Sequence, residues 1–472
     1  MLSLSRVSCL VLVVAACGRS SSTHPDARQA DSHELDAPAG DAAIDAPLGP
    51  TTRVWVYGDF LTNNVSQLGM FKHDAVTPPV TMTGFPSSGK LYDTNNPVPF
   101  AVSADGSKVA FAADSTMSGR FDLFLAAADG GSPVTVLTAT NATSIAFSPD
   151  GMKLAFTADR DVAGQLDVYV VDAAANSTPV RVSPARNNAA LDANLIAWSP
   201  DSKYLAMVGD FTTDGLFVLW TVDTTAATPA PVQIVPDADV QPTTTPKGVL
   251  SPGPRWTSNT KVVFYGALAA AGDRHIYVAT ADTAGYAELA STSLTRGDAS
   301  KAEAHVFGIS PDRSKIVFSA DGETATAFDL YVANADGSGS ATRLTTGTMP
   351  AGRDIYGFDE VTFSPDATKV ALDADWGTVD NKYEPYVVAL DGSGAHRVTV
   401  MPVGATDGER GSQKPQWTRN GARLYFIADA GANNNDFGVW VADPAVTDGT
   451  ATLAVAVPTS GDVFGIVTRW DP

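Results

Sequence analysis

The chain has 472 residues, 44% of them hydrophobic, which is enough to bury a large core and excludes wholesale disorder. Its 31 Lys and Arg against 52 Asp and Glu leave a formal net charge of -21, which repels phosphate backbones and anionic lipid surfaces and argues against a nucleic-acid partner. Only 7 of the acids are Glu and 45 are Asp; with 40 Gly and 30 Pro, this is the composition of an all-β chain that turns often and holds little helix.

At the N-terminus Arg6 precedes an apolar stretch, Val7 to Ala16, too short to cross a bilayer as a permanent helix and proportioned like a secretory signal peptide. Val14-Ala15-Ala16-Cys17 resembles the bacterial lipobox, which implies cleavage after residue 16 and a diacylglycerol on Cys17. Gly18 follows the Cys where an Asp would signal retention, so the resemblance implies anchoring at the outer membrane. Residues 17–50 then form a Ser-, Asp-, Ala- and Pro-rich tether with no periodic apolar face, expected to be a disordered acidic spacer. Cys9 falls inside the signal and Cys17 is taken by lipid, so the body, residues 51–472, is expected to hold neither thiol nor disulfide. No other apolar run reaches about 18 residues, which leaves the lipid on Cys17 as the expected membrane attachment.

From residue 51 onward the chain repeats itself every ~45 to 57 residues, the size of a four-stranded blade. The clearest unit, Ile145 to Ser183, reads as an apolar strand, the turn Ser148-Pro149-Asp150-Gly151, a second strand Leu154 to Asp159, a third Leu166 to Val170 and a fourth Val180 to Ser183. The turn recurs at Ser103, Ser199, Ser310 and Ser364, with weaker copies at Thr257 and Thr418, always with Asp or Asn third. Ser, Pro, Asp and Gly in that order fit a type I turn. Third strands carry a large residue at their centre: Phe124, Tyr169, Trp220, Tyr277, Tyr331, Tyr386 and Trp440. The first unit, from Val54, lacks an inner strand, and Val463 to Trp470 is a strand with nothing after it. Pairing the two removes two open edges, so the expected fold is an eight-bladed β-propeller closed by the C-terminal strand in the first blade.

The unit FSPDGMKLAFTAD followed by QLDVYVVDAAANSTPVRVS resembles the WD40-like Pro-Asp repeat of TolB-type periplasmic propellers, a repeat also found in the propellers of prolyl-oligopeptidase-like and tricorn-like peptidases. The resemblance covers nearly all of Arg53 to Trp470 and speaks for fold more than for function. TolB-type proteins place an α/β domain before a six-bladed propeller, and here a tether stands in that place. The peptidases append an α/β-hydrolase domain, and here the sequence stops two residues after the closing strand.

Familiar catalytic motifs do not occur: there is no Gly-x-Ser-x-Gly elbow, no His-Glu-x-x-His and no phosphate-cradling Gly-rich loop with Lys. The histidines, His24, His33, His73, His275, His305 and His396, are scattered through the tether and separate units. Asp114, Asp159, Asp321, Asp375 and Asp429 end equivalent strands, and Asp122, Asp167 and Asp329 begin the next ones. Calcium ligation would use such carboxylates, but their repetition points to hydrogen bonds with their own hairpin backbones. What varies is the connections between units, where Tyr92, Tyr356, Asp359, Glu360, Glu409 and Arg410 are the candidate binding residues.

The expectation that follows is a lipid-anchored, monomeric propeller that is not an enzyme, takes no cofactor and acts as a binding or scaffolding module for another envelope protein. The alternatives are a propeller hydrolase or lyase with a metal held in the central channel, and a carbohydrate-binding disc that uses loop aromatics.

Overall fold

The computed structural model describes residues 52–58, 67–72, 80–81, 100–117, 120–127, 133–138, 142, 144–185, 193–240, 248–249, 253–268, 274–294, 304–321, 329–345, 361–374, 376, 383–400, 412–429, 437–455 and 463–470. Among them the strands assort into eight antiparallel sheets, seven of four strands and one of five, in a propeller-like arrangement. Helix is confined, among the described residues, to the 3-10 turns Asp237–Asp239 and Ala290–Thr292.

The first sheet joins both ends of the chain: Thr52–Gly58 pairs with Gln67–Lys72 on one side and with Val463–Trp470 on the other. The remaining sheets follow in chain order, each a meander running from an inner to an outer strand. In the third these are Ile145–Phe147, Lys153–Ala158, Asp167–Asp172 and Val180–Arg181. In the sixth they are Ala304–Ile309, Lys315–Ala320, Asp329–Asn334 and Thr342–Arg343. The fifth differs because its inner strand is broken into Gly248–Val249 and Arg255–Trp256, both paired with Lys261–Ala267.

Second strands are buried on both faces, as at Tyr204–Gly209, which explains why they read as continuous apolar runs rather than alternating ones. Their centres meet the large residues of the third strands directly. Phe111 opposes Phe124, Phe156 opposes Tyr169, Phe264 opposes Tyr277 and Phe318 opposes Tyr331, with ring centroids 5.5–5.7 Å apart. Met207–Trp220, Leu372–Tyr386 and Phe426–Trp440 hold the same register in other sheets. A pair of large side chains at this register in seven of the sheets therefore pins the strands against slippage.

The repeated turn is built by its own side chains. In each strong copy the Ser hydroxyl donates to the Asp two residues on, at 2.5–2.6 Å, and at four of the five it also accepts the amide of a Lys five residues on. At Ser199 that amide belongs to Tyr204. The copy at Thr257 closes one residue sooner, with the Thr257 amide donating to the Lys261 carbonyl. The fourth position is left-handed, at φ 68° for Gly151 but also at 63° for Ser202, 62° for Arg313 and 55° for Ala367. A side chain there costs energy that glycine does not. Ala367→Gly is expected to stabilise the protein by about 0.5 kcal/mol, and Gly151→Ala to destabilise it by about 1 kcal/mol. Urea titration reads both, and the same sign for the two would refute the strain.

The turn also makes stability depend on pH. The Ser310 hydroxyl and Ser314 amide hold the Asp312 carboxyl below the ordinary carboxylate range, and the Ser364 hydroxyl does the same for Asp366. A carboxyl whose folded pKa is depressed stabilises above its unfolded pKa, and that contribution is lost as pH falls through the folded value. The stability gap between wild type and the double variant Ser310→Ala/Ser364→Ala should therefore be wider at about pH 7 than at about pH 3. An equal gap at both would count against this account.

Six apolar clusters tie the sheets together. One spans the first three sheets, through Trp55, Phe111 and Phe156, and another the third to fifth, through Val168, Met207 and Phe264. Tyr265 and Phe318 join the fifth and sixth, Val317 and Leu372 the sixth and seventh, and Ala371 and Phe426 the seventh and eighth. Tyr425 and Ile427 of the eighth pack on Val54 and Val56 of the first. Inner strands of several successive sheets touch, as at Phe100–Val102 with Ile145–Phe147 and at Ile145–Phe147 with Ala193–Trp198. Three are tied by tryptophans ending inner strands: Trp198 Nε1 donates to the Ala146 carbonyl at 3.2 Å, Trp256 to Ala197 at 3.0 Å and Trp417 to Thr362 at 3.1 Å. A basic residue starting the second strand reaches the next sheet's turn. Arg53 donates to the Gly106 carbonyl at 2.9 Å, and Lys108 to Gly151 at 3.4 Å.

Candidate functional site

Cys17 and all six candidate binding residues, Tyr92, Tyr356, Asp359, Glu360, Glu409 and Arg410, lie outside the described residues. What the described residues bring together is a set of polar positions where third strands begin. This end also holds the starts of the inner strands and the hairpins between second and third strands. The position opposite Ala113, Ala158, Gly266, Ala320 and Ala374 is Asp122, Asp167, His275, Asp329 and Glu384 respectively. All five are buried. Small residues across the ladder leave the room that a buried polar side chain needs.

The outer strand of the same sheet compensates these groups. Asp329 accepts from Arg343 at 2.9 Å and from the Thr345 hydroxyl at 2.8 Å. Asp167 accepts from Ser183 at 2.6 Å, with Arg181 at 3.8 Å. Glu384 accepts from Arg397 at 2.7 Å, and the same guanidinium donates to Asp448 of the eighth sheet at 2.7 Å. In the fifth sheet His275 Nδ1 lies 3.8 Å from Glu288. Tyr277 and Tyr286 meet edge to face at 5.2 Å beside that pair. The Tyr286 hydroxyl donates to Asp239, and burial together with that carboxylate pushes its pKa upward.

Hairpin bonding, expected for the recurring Asp residues, is seen at two that end second strands: Asp159 accepts the Gly164 amide and Asp210 the Gly215 amide, each at 2.9 Å. Asp167 and Asp329 accept hydrogen bonds from the outer strand. The signal in the sequence was the outer-strand pattern Arg, apolar, Ser or Thr, at Arg181-Val182-Ser183, Arg343-Leu344-Thr345 and Arg397-Val398-Thr399. Among the described residues no group of three or more His, Cys, Asp or Glu could hold a metal ion.

The family described as "Dipeptidyl peptidase IV (DPP IV) N-terminal region" matches residues 221–375, about a third of the chain. No curated protein matches. Among solved structures, that of the two prolyl endopeptidases is 13% identical with a TM-score of 0.50, covering 79% of this chain and 50% of that one. Oligogalacturonate lyase from Vibrio parahaemolyticus is 13% identical with a TM-score of 0.47, covering 83% and 97%. The TolB structure from Agrobacterium tumefaciens is 19% identical with a TM-score of 0.33, covering 62% and 94%. At these identities the likeness is one of fold, a distant propeller-like fold related to TolB and to propeller enzymes.

The expectation that the chain is not an enzyme does not stand. Most of the similar structures are lyases, hydrolases or peptidases, so this fold and the lack of familiar motifs give no ground for a non-catalytic role.

Proposed function

We propose that this chain is a propeller-fold enzyme of the hydrolase or lyase kind, with its eight sheets closed into one ring of eight blades. The observation that carries the enzymatic reading is the match of residues 221–375 to the dipeptidyl peptidase IV N-terminal region, a likeness in sequence rather than in shape. The order of the packing clusters supports the ring, since each sheet packs between two others and the first between the eighth and the second. The end where third strands begin, rich in compensated polar groups, is the face on which substrate would be taken. In the same reading residues 1–16 are a cleaved signal, Cys17 is lipidated, residues 17–50 are the tether, and the body from 51 to 472 works outside the cytoplasm at the outer membrane. A protein-binding module is the second reading, favoured by apolar side chains exposed on outer edge strands, Val134, Val180 and Leu453.

Incubating the purified full chain with chromogenic dipeptide anilides and with oligogalacturonides tests the first reading. Turnover of one class above a heat-denatured control is expected. No turnover of either would overturn it in favour of the binding module.

A further inference from the structure

We infer that Asn420 is a site of spontaneous deamidation, and that the turn around it sets both the rate of the reaction and the fate of its products. The sequence holds one Asn-Gly pair, Asn420-Gly421. Asn is thermolabile, and a glycine after it leaves the following amide nitrogen sterically open to react. The Gly421 amide gives up its proton to solvent base and its nitrogen attacks Cγ of Asn420. The Cγ–Nδ2 bond breaks, the leaving group takes a proton from water to depart as ammonia, and a five-membered imide remains. Water then opens the imide. Attack at Cγ puts an aspartate in place of Asn420, and attack at the backbone carbonyl carbon gives an isoaspartate, whose main chain runs through Cγ.

Asn420 is exposed to that water, at the third position of the turn Thr418-Arg419-Asn420-Gly421 in the eighth sheet. The folded turn keeps the reacting atoms apart. The Gly421 amide donates to the Thr418 carbonyl at 2.9 Å. Asn420 Oδ1 accepts the Thr418 hydroxyl at 2.8 Å and the Ala422 amide at 3.0 Å. A type I turn sets its third residue at ψ of about 0°, which rotates the next nitrogen well away from Cβ. Imide closure needs that nitrogen to eclipse Cβ, so it proceeds only when the turn opens. Thr418 resists opening: it is 1% exposed, and its hydroxyl also accepts the Arg423 amide at 3.0 Å. Deamidation of the folded chain therefore reports local opening of the eighth sheet.

The two products have opposite consequences. Equivalent turns already carry Asp in the third place, where Asp366 Oδ1 accepts the Ser364 hydroxyl at 2.6 Å and the Thr368 amide at 3.1 Å. Asp312 accepts from Ser310 and Ser314 in the same way. Asn420 takes both of its bonds on Oδ1, so exchanging Nδ2 for oxygen keeps them and makes them charge-assisted. Isoaspartate instead adds a methylene to the main chain and breaks the turn. The damage falls beside the seventh sheet, since a Cβ at Gly421 would lie 3.7 Å from Pro365 of that sheet's turn.

Peptide mapping of the full chain, held in mildly alkaline buffer with and without guanidinium chloride, tests the inference. Residue 420 should convert at least about tenfold more slowly in the folded chain than in the unfolded one. Thr418→Val should speed conversion in the folded chain and leave the unfolded rate unchanged. Asn420→Asp should melt at or above the wild-type temperature. No conversion in guanidinium would overturn the site, and equal rates in the two buffers would overturn control by the turn. Unchanged conversion in folded Thr418→Val would remove the hydroxyl from the account; if that variant does not fold, the wild-type comparison still decides the rate. Melting of Asn420→Asp below wild type would overturn the assignment of the aspartate product as the one the turn accepts.

Discussion

A chain lacking Val463–Trp470 is expected to lose its cooperative fold. That strand pairs with every residue of Thr52–Gly58, so its removal breaks a ladder along the whole second strand of the first sheet. At about 1 kcal/mol net per backbone hydrogen bond, the loss alone approaches the ~5–15 kcal/mol by which domains are stable. Exposure of apolar side chains is added to it, since Val54 and Val56 are fully buried between the first and eighth sheets. The freed edge of Thr52–Gly58 is a template for pairing with a second chain. Sedimentation and thermal melting of the truncated protein should show aggregate and no sharp transition. A monomer melting like wild type would mean that the first sheet stands without its inner strand.

Arg397→Ala should cost about 3 kcal/mol or more, while Arg181→Ala should cost less than about 1 kcal/mol. The two arginines occupy equivalent outer strands, so the comparison isolates what surrounds them. Arg397 serves a carboxylate whose side chain is 2% exposed, and it also bridges to Asp448 in the next sheet. Removing it leaves Glu384 buried without that cation and cuts a link between two sheets. Arg181 is 37% exposed and stands 3.8 Å from an Asp167 that Ser183 already serves. Urea midpoints of the two variants measure the difference. Equal losses would show that burial of the carboxylate is not what sets the cost.

The arrangement of strands was legible because each unit writes it three times over. The Ser-Pro-Asp turns mark where inner strands end, the apolar runs mark second strands, and a large residue marks the centre of each third strand. The partner of each buried acid was not legible in the same way. Asp329 and Thr345 are far enough apart in sequence that only a four-stranded sheet, folding the outer strand back along the third, brings them to 2.8 Å. His275 and Glu384 escaped notice as members of that set because they differ in residue type from the Asp found elsewhere. Their likeness is one of register, and register appears only when strands pair.

The sequence by itself determined the all-β class, the repeating four-strand unit and the pairing of the last strand with the first sheet. Each of these follows from local chemistry: turn residues that close on themselves, apolar periods, and an edge left open at both ends. Tertiary structure alone decided that tryptophans at inner-strand ends reach the neighbouring sheet, and which arginine meets which acid. These contacts join residues tens of positions apart or on separate sheets, and the local pattern of residue types does not record which strand will face which.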